Sequence, residues 1–370
     1  MWLFLAFVNV VLAFIAENYY RTSKITTIIY LGAIVIINTF FIGLRDFGVG
    51  TDTIVYIEDY FIYAGHIDDF DTFLSDDQFD KGYVALAYIA NIFSDSKQSL
   101  LVITEFFITS FIVLGIYEYK KGLGISFAGF FALFWLLYQQ ETINLMRQFC
   151  AMSLLFYGFA KLINKKYLLY CLLQIVAFFF HSTSILFLVV PLGLFLCKIE
   201  SKWKYLILIL PVWGAFYVYN NYFELLHYLG DLNLVDEVLV DRYGEQSVYS
   251  ASKGNVSYKF LIPAFLIFLV YKFKLLNPQK RYMLLFLLIS TFLLEQSKFI
   301  SQYFFRMSYY PGIIFIVYFS EVYKSIYWGK CFYIQSLCIL ALFYYGYQNY
   351  TYMYSATVGF VYRSAILGIN

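Results

Sequence analysis

The sequence consists of long apolar runs separated by short polar turns, and this alternation limits the folds that the chain can adopt. Hydrophobic residues make up 62% of the 370 residues, and charged residues only 14%. An ordinary soluble domain has roughly 45–50% apolar and about 25% charged residues, so this chain has too little charge to cover a soluble particle of its size. The sequence therefore predicts a protein of the lipid bilayer. A net charge of +2, without any basic tract, argues against nucleic-acid binding.

A helix needs about 20 mostly apolar residues to cross the hydrocarbon layer, and slightly shorter runs can cross if their polar ends reach the interface. The pattern predicts an all-α polytopic membrane protein with about 12 transmembrane helices. The predicted spans are 2–16, 25–42, 99–117, 125–138, 147–163, 167–180, 183–197, 203–220, 258–273, 281–295, 303–322 and 331–349. No internal repeat or flexible linker divides them, so we expect residues 1–370 to form a single transmembrane domain.

Lysine and arginine residues predict the orientation, because they concentrate on the cytoplasmic side of membrane proteins. If the N-terminus lies outside, alternate turns face the cytoplasm, and these short turns hold most of the 26 Lys and Arg residues. Residues 83–93 are apolar but too short to cross. If they crossed, every later turn would be inverted, so the pattern favours an external interfacial or re-entrant helix there.

This topology predicts three external segments, namely residues 43–98, 221–257 and 350–370. The first is an acidic loop that includes the interfacial helix, and the last is a C-terminal tail. Aspartates in the acidic loop are mixed with Phe and Tyr, a combination that suits hydrogen bonds and stacking with sugars. Cation binding and a solvated polar lid are the alternatives for this loop.

Three arginines lie at predicted outer helix ends, against the trend that places positive charge inside. They are Arg45 after the second span, Arg147 at the start of the fifth and Arg306 at the start of the eleventh. A guanidinium group matches two phosphate oxygens at once, so an external pocket for a diphosphate is the simplest common explanation. For Arg147, the alternative is a side chain that extends to the membrane interface.

Two further residues at the outer side are candidates for proton transfer. Asp52 ends the segment RDFGVGTD, in which two glycines allow backbone N–H groups to approach an anion or a sugar closely. His181 lies between two predicted spans, where it can act as a general base, a phosphate ligand or a structural cap. No His, Asp or Glu cluster has the spacing of metal ligands, and no cofactor motif is present.

Several segments together resemble a known family. The stretch GLRDFGVGTDTIVYIEDYF resembles the signature after the second span of EpsG-type polysaccharide polymerases. The segments NLMRQFCAMSLLFYGFAKLINKKYLLY and FFFHSTSILFLVVPL are similar to the paired Arg and His helices of these proteins and of related Wzy O-antigen polymerases, and SQYFFRMSYY resembles their later Arg helix. The resemblance extends in order over nearly the whole chain.

The resemblance implies a glycosyltransferase of the bacterial plasma membrane, with an architecture like that of the GT-C class. Such enzymes join oligosaccharide repeat units carried on undecaprenyl pyrophosphate at the outer face of the membrane, and a chain-length regulator protein is an expected partner. By matching motifs, Arg45, Arg147 and Arg306 correspond to pyrophosphate ligands, and Asp52 and His181 to candidates for the general base. No metal is expected, since three arginines can stabilise the leaving group.

Two other functions remain open at this point. A flippase or transporter for lipid-linked sugars also needs an outward anion site, although such proteins usually show repeat symmetry and a midplane cavity. A membrane O-acyltransferase needs access to a cytoplasmic acyl donor and an embedded His as its base. The charged residues of this chain are instead predicted at the outer face.

Overall fold

Helices account for nearly all of the regular structure in the computed structural model, which describes residues 1–50, 52–67, 80–199, 203, 224, 261–296, 304–325 and 362–369. The predicted spans 203–220 and 331–349 and the loop 221–257 lie almost entirely outside these residues. So do most aspartates of the acidic loop and residues 350–361 of the tail. The chain divides into two compact units, Met1–Ile185 with Phe319–Asn370, and Leu186–Tyr318.

The described helices follow the predicted apolar runs closely. In chain order they are α1 (Trp2–Tyr19), α2 (Lys24–Gly43), α3 (Thr53–Tyr56), α4 (Lys81–Phe93), α5 (Gln98–Leu123), α6 (Phe127–Leu137), α7 (Gln139–Asn144), α8 (Met146–Ile163), α9 (Tyr167–Phe180), α10 (Val189–Leu196), α11 (Leu261–Lys272), α12 (Pro278–Gln296) and α13 (Tyr309–Ser325). A π-helical turn (Ile57–Ile62) continues α3, and 3₁₀ turns (Ser182–Leu188 and Phe304–Ser308) precede α10 and α13.

For the residues that it describes, the structure confirms the prediction of an all-helical protein, and its apolar helices are compatible with a membrane protein. Helices α1, α2 and α5 are long and apolar enough to cross a bilayer, and α6 and α9 are shorter apolar helices. Large apolar side chains on the outer faces of α1 and α9, such as Phe7 and Leu168, are exposed, as expected for contact with lipid rather than water. The total of 12 spans and the likeness to the GT-C class stay predictions.

Six helices of the first unit, α1, α2, α5, α6, α8 and α9, run alternately in opposite directions. The end of α1 meets the start of α2, where Thr27 Oγ1 donates to the Ala16 carbonyl at 3.4 Å. The end of α5 meets the end of α8, where Lys161 Nζ lies 2.7 Å from Glu118 Oε1. One end of the unit therefore holds Arg45, and we call it the arginine end. The opposite end, the lysine end, holds Arg21, Lys24, Lys120, Lys121, Lys161, Lys165 and Lys166.

Helix α8 lies at the centre of the first unit and packs on α5 and α9. Its side chains are buried on almost every face; Phe149, Phe156 and Phe159 are fully enclosed. Close approach to α5 requires Gly115, because a Cβ atom there would lie 2.4 Å from the Phe156 ring. Tight packing on all sides fixes the position of the first turn of α8, which carries Arg147.

The segment between α2 and α5 begins and ends at the arginine end of the first unit. Gln98 Nε2, at the start of α5, donates to the carbonyl of Gly43, at the end of α2. Within this segment, α4 has 13 residues and is about 20 Å long at 1.5 Å per residue, shorter than the roughly 30 Å hydrocarbon layer. Tyr83 and Ala87 on one face of α4 are buried, whereas Ile92 and Phe93 are exposed.

The second unit packs α10 against α12 and α11 against α12. Helix α10 approaches α12 so closely that a Cβ atom on Gly193 would lie 2.4 Å from the Phe286 ring. Helix α13 begins in this unit with Tyr309, directly after the 3₁₀ turn that contains Arg306.

Candidate functional site

Arg147 lies in the first turn of α8 and is the centre of a polar and aromatic cluster at the arginine end. Its Nη1 donates to Tyr60 Oη at 2.5 Å and forms an ion pair with Asp80 Oδ2. The guanidinium carbon also lies 5.4 Å and 5.2 Å from the ring centroids of Tyr56 and Tyr60, which is cation–π distance. We call Tyr56, Tyr60, Asp80 and Arg147 the Arg147 cluster.

Local structure explains why these side chains meet. Tyr56 and Tyr60 are four residues apart on continuous helical turns, a spacing that places both rings on one face. Asp80 immediately precedes α4. Leu145 separates α7 from α8 with φ −97° and ψ 46°. A new helix therefore begins at Met146, and the side chain of Arg147 in its first turn reaches Tyr60 and Asp80.

The cluster is only partly covered, and its donors are not all used. The side chains of Arg147 and Asp80 are 29% and 24% exposed. Arg147 Nε has no hydrogen-bond partner, although a buried donor normally has one. Burial raises the pKa of the Asp80 carboxyl, while the nearby guanidinium acts in the opposite direction. Burial also raises the pKa of Tyr60 to about 12, so its phenol stays protonated and neutral at physiological pH.

Tyr83 on α4 connects this cluster to the interior. Its ring packs edge-on against Tyr60 at 5.1 Å between centroids, and its hydroxyl lies 3.2 Å from Thr104 Oγ1 and 3.7 Å from Met146 Sδ. Tyr83 is fully buried. It therefore supports the Arg147 cluster on the side that faces the protein interior and excludes water from that side.

Arg45 lies deeper than a surface ligand would, with 1% of its surface exposed. Its Nη1 donates to the Ile42 carbonyl at 2.7 Å, its Nε to the Val49 carbonyl at 3.4 Å, and its Nη2 to Met146 Sδ at 3.5 Å. Burial lowers the pKa of this guanidinium to about 10, and buried Glu105 opposes that effect. Arg45 thus joins the end of α2 to the residue preceding Arg147; phosphate binding by Arg45 stays a prediction.

The glycine segment after Arg45 is held from both sides. Gly50 adopts φ +100°, and a Cβ atom there would lie 2.9 Å from Asn144 Oδ1 on α7, so glycine is required at this position. On the other side, the C-terminal residues contact Asp46, whose N–H donates to the Arg363 carbonyl at 2.9 Å and whose carboxylate accepts from Ala365 N–H at 2.7 Å. Residues 362–369 therefore brace the loop.

Asp52 lies one helical turn before Tyr56, whose N–H donates to the Asp52 carbonyl at 3.1 Å. It is partly exposed at the start of α3. This spacing brings Asp52 to the same end of the unit as the Arg147 cluster. A role as the base stays a prediction.

His181 follows the last residue of α9, also at the arginine end. Its Nδ1 accepts from the Thr183 N–H at 3.4 Å and lies 2.7 Å from Thr183 Oγ1. Gly82 connects this region to the Arg147 cluster, because a Cβ atom on Gly82 would lie 2.9 Å from the backbone carbon of Phe179 and 2.8 Å from the Phe180 ring. The start of α4, which follows Asp80, thus packs directly against the end of α9, which precedes His181.

The other predicted site residue, Arg306, is partly exposed in the 3₁₀ turn of the second unit. Its role as a phosphate ligand stays a prediction. In the described ranges, no group of three or more His, Cys, Asp or Glu side chains is arranged to hold a metal ion.

Three members of the Arg147 cluster, namely Tyr56, Tyr60 and Asp80, were not predicted from the sequence. One signal was available for the tyrosines, because the segment YIEDY places two aromatic side chains four residues apart, a spacing typical of one helix face. For Asp80 there was none, since it is one of many aspartates in the acidic loop.

Comparison with curated proteins finds no match, and neither does comparison with solved structures. The family model of the EpsG family, in contrast, matches residues 3–364. This match includes every helix described above except the first residue of α1, and it includes the whole Arg147 cluster. Because the match extends over nearly the entire chain, the protein belongs to the EpsG family.

Proposed function

We propose that this protein transfers oligosaccharide repeat units from undecaprenyl pyrophosphate to a sugar hydroxyl of a second lipid-linked chain. Membership of the EpsG family supports a role as a polysaccharide polymerase of the membrane. The observation that carries the proposal is the Arg147 cluster, in which a half-buried guanidinium at the membrane boundary has an unpartnered Nε. Charged groups at such positions are costly and are usually functional.

The distribution of charge supports an extracytoplasmic site. All the described turns of the lysine end carry basic residues, and the positive-inside rule places such turns in the cytoplasm. The arginine end, with Arg147 and His181, then faces the periplasm or the cell exterior, as does the N-terminus. Undecaprenyl pyrophosphate would present its headgroup to the site from the adjacent leaflet.

In the proposed reaction, the acceptor hydroxyl attacks the anomeric carbon and the bond to pyrophosphate breaks. Negative charge grows on the departing pyrophosphate, and stabilisation of such charge by preorganised donors is often the largest catalytic contribution. We assign this role to Arg147, and the same role for Arg306 stays a prediction from the sequence. The burial of Arg45 suits it better for positioning Met146 and the first turn of α8 than for direct contact. With these cations, the reaction would need no metal.

The decisive experiment is deletion of the gene followed by gel analysis of the surface polysaccharide. We expect the ladder of chain lengths to collapse to a single repeat unit, and the wild-type gene to restore it. Purified protein in liposomes with lipid-linked repeats should then elongate them. Translocation without elongation would instead indicate a flippase, and acetyl-sized mass increments on the glycan would indicate an O-acyltransferase.

A second test concerns the packing that joins Asp80 to the region of His181. We expect Gly82→Ala to lower polymer formation and the melting temperature, because the new methyl group meets the Phe179 backbone, and overpacking of this kind costs about 1–3 kcal/mol. Gly32→Ala in α2 is the matched control, since nothing lies within 4 Å of a Cβ atom there. Equal polymer yield and melting temperature for the two variants would contradict a rigid contact at Gly82.

A further inference from the structure

The position of Asp80 indicates a role for its carboxylate in the proposed transfer reaction. Its carboxylate is paired with Arg147, the residue to which we assign the leaving pyrophosphate. About a quarter of its side chain is accessible, so the carboxylate can be reached from outside. Any group bound to the guanidinium of Arg147 would therefore lie close to Asp80.

The ion pair and pyrophosphate compete for the same guanidinium. Arg147 Nη1 is shared by Asp80 and Tyr60, and a phosphate group prefers two parallel donors of one guanidinium. Binding of pyrophosphate would draw donors from Asp80 toward the phosphate oxygens. The Asp80 carboxylate would then lie beside the bond that breaks, no longer paired with the Arg147 guanidinium as it is in this structure.

The other two candidate bases are less well placed to accept a proton. Nδ1 of His181 lies 2.7 Å from Thr183 Oγ1 and 3.4 Å from the Thr183 nitrogen. This ring nitrogen is therefore engaged with a neighbouring residue of its own turn. Asp52 belongs to the start of α3, one turn away from the tyrosine that contacts Arg147.

We propose that Asp80 is the general base of the transfer and that its pairing with Arg147 holds it until pyrophosphate binds. This inference rests on the proposed polymerase function. The acceptor oxygen forms the new bond to the anomeric carbon, its proton passes to the Asp80 carboxylate, and the carbon–oxygen bond to pyrophosphate breaks with its electron pair remaining on pyrophosphate. Partial burial of Asp80, which raises its pKa, makes it a stronger base than an exposed aspartate.

The test separates binding from transfer in the full-length protein in nanodiscs. Asp80→Asn should bind undecaprenyl pyrophosphate as tightly as the wild type, or more tightly, because a competitor for Arg147 is gone. Its elongation rate should fall about 100-fold or more, since general base catalysis typically contributes 10²- to 10⁴-fold. Arg147→Gln should lose pyrophosphate binding. Asp59→Asn, an exposed acidic residue of the neighbouring π-helical turn, is the matched control and should elongate normally.

Asp80→Glu guards against a simple folding defect, because it keeps a carboxylate and should elongate well above the level of Asp80→Asn. Wild-type elongation by Asp80→Asn would overturn the proposal. A loss of pyrophosphate binding equal to that of Arg147→Gln would also overturn it, because Asp80 would then only position Arg147. If the wild-type protein binds undecaprenyl pyrophosphate but does not elongate lipid-linked repeats, the proposed polymerase function is wrong. If the wild type and Asp80→Asn both elongate them, only the role of Asp80 as the general base is wrong.

Discussion

Replacing Arg147 by alanine is expected to reduce polymer formation more than any other single arginine substitution in the described part of the chain. The change removes a charge-assisted phosphate contact, which is worth roughly 1.5–3 kcal/mol, or about 10- to 150-fold in rate. It also leaves Asp80 as a largely buried carboxylate without its cation. The segment between α2 and α5 then loses the ion pair that attaches it to α8. Cells that carry this variant should show short chains or single repeat units on a polysaccharide gel.

Lysine at position 147 separates the two effects. It keeps the charge that pairs with Asp80, but it lacks the fork of donors that fits two phosphate oxygens. We therefore expect Arg147→Lys to fold normally, as judged by its melting temperature in detergent, and to elongate poorly. Arg21→Ala is the control, because Arg21 is exposed at the lysine end. Wild-type chain length with Arg147→Lys and Arg147→Ala would remove the pyrophosphate pocket from the mechanism.

Replacing Glu17 by alanine is expected to have the largest effect on stability. The carboxylate of Glu17 lies 2.5 Å from Lys120 Nζ, and its second oxygen accepts from Ser126 Oγ at 2.7 Å and from Phe127 N–H at 2.9 Å. It therefore joins the ends of α1 and α5 to the first turn of α6. The Lys120 side chain is only 7% exposed, and removal of one partner from a buried ion pair costs about 3–5 kcal/mol.

The measurement is thermal unfolding of the purified protein in detergent, with Asp95→Asn as the control for an exposed acidic residue. We expect a clear fall in the melting temperature for Glu17→Ala and no change for the control. Combining Glu17→Ala with Lys120→Met should recover part of the loss, because the lysine no longer remains buried without its partner. If the double variant is no more stable than the single one, the ion pair does not account for the effect.

Helix positions were largely predictable from the sequence. The predicted spans 25–42 and 147–163 correspond to α2 at Lys24–Gly43 and α8 at Met146–Ile163, because continuous apolar runs have few alternatives to a helix in a bilayer. The predicted span 125–138 corresponds to α6 at Phe127–Leu137, and the polar sequence QQETIN after Tyr138 forms the separate short helix α7.

The two arginines show where sequence reasoning ends. Arg45 and Arg147 both flank apolar runs, and nothing in the local pattern distinguishes them. In the folded chain, one is enclosed with its donors on backbone carbonyls and a sulfur atom. The other contacts a tyrosine and an aspartate from a distant part of the chain. Burial depends on what packs around a helix end, and that information lies in other segments.

The amino-acid sequence by itself determined the membrane class and the family, because hydrophobic length and ordered motifs are local properties. The tertiary structure alone decided that Arg147 pairs with Asp80, 67 residues away, and that Gly82 brings this pair beside the end of α9. An ion pair between separate segments depends on how the helices pack side by side. The hydrophobic pattern of one apolar run does not specify which other helix it will contact.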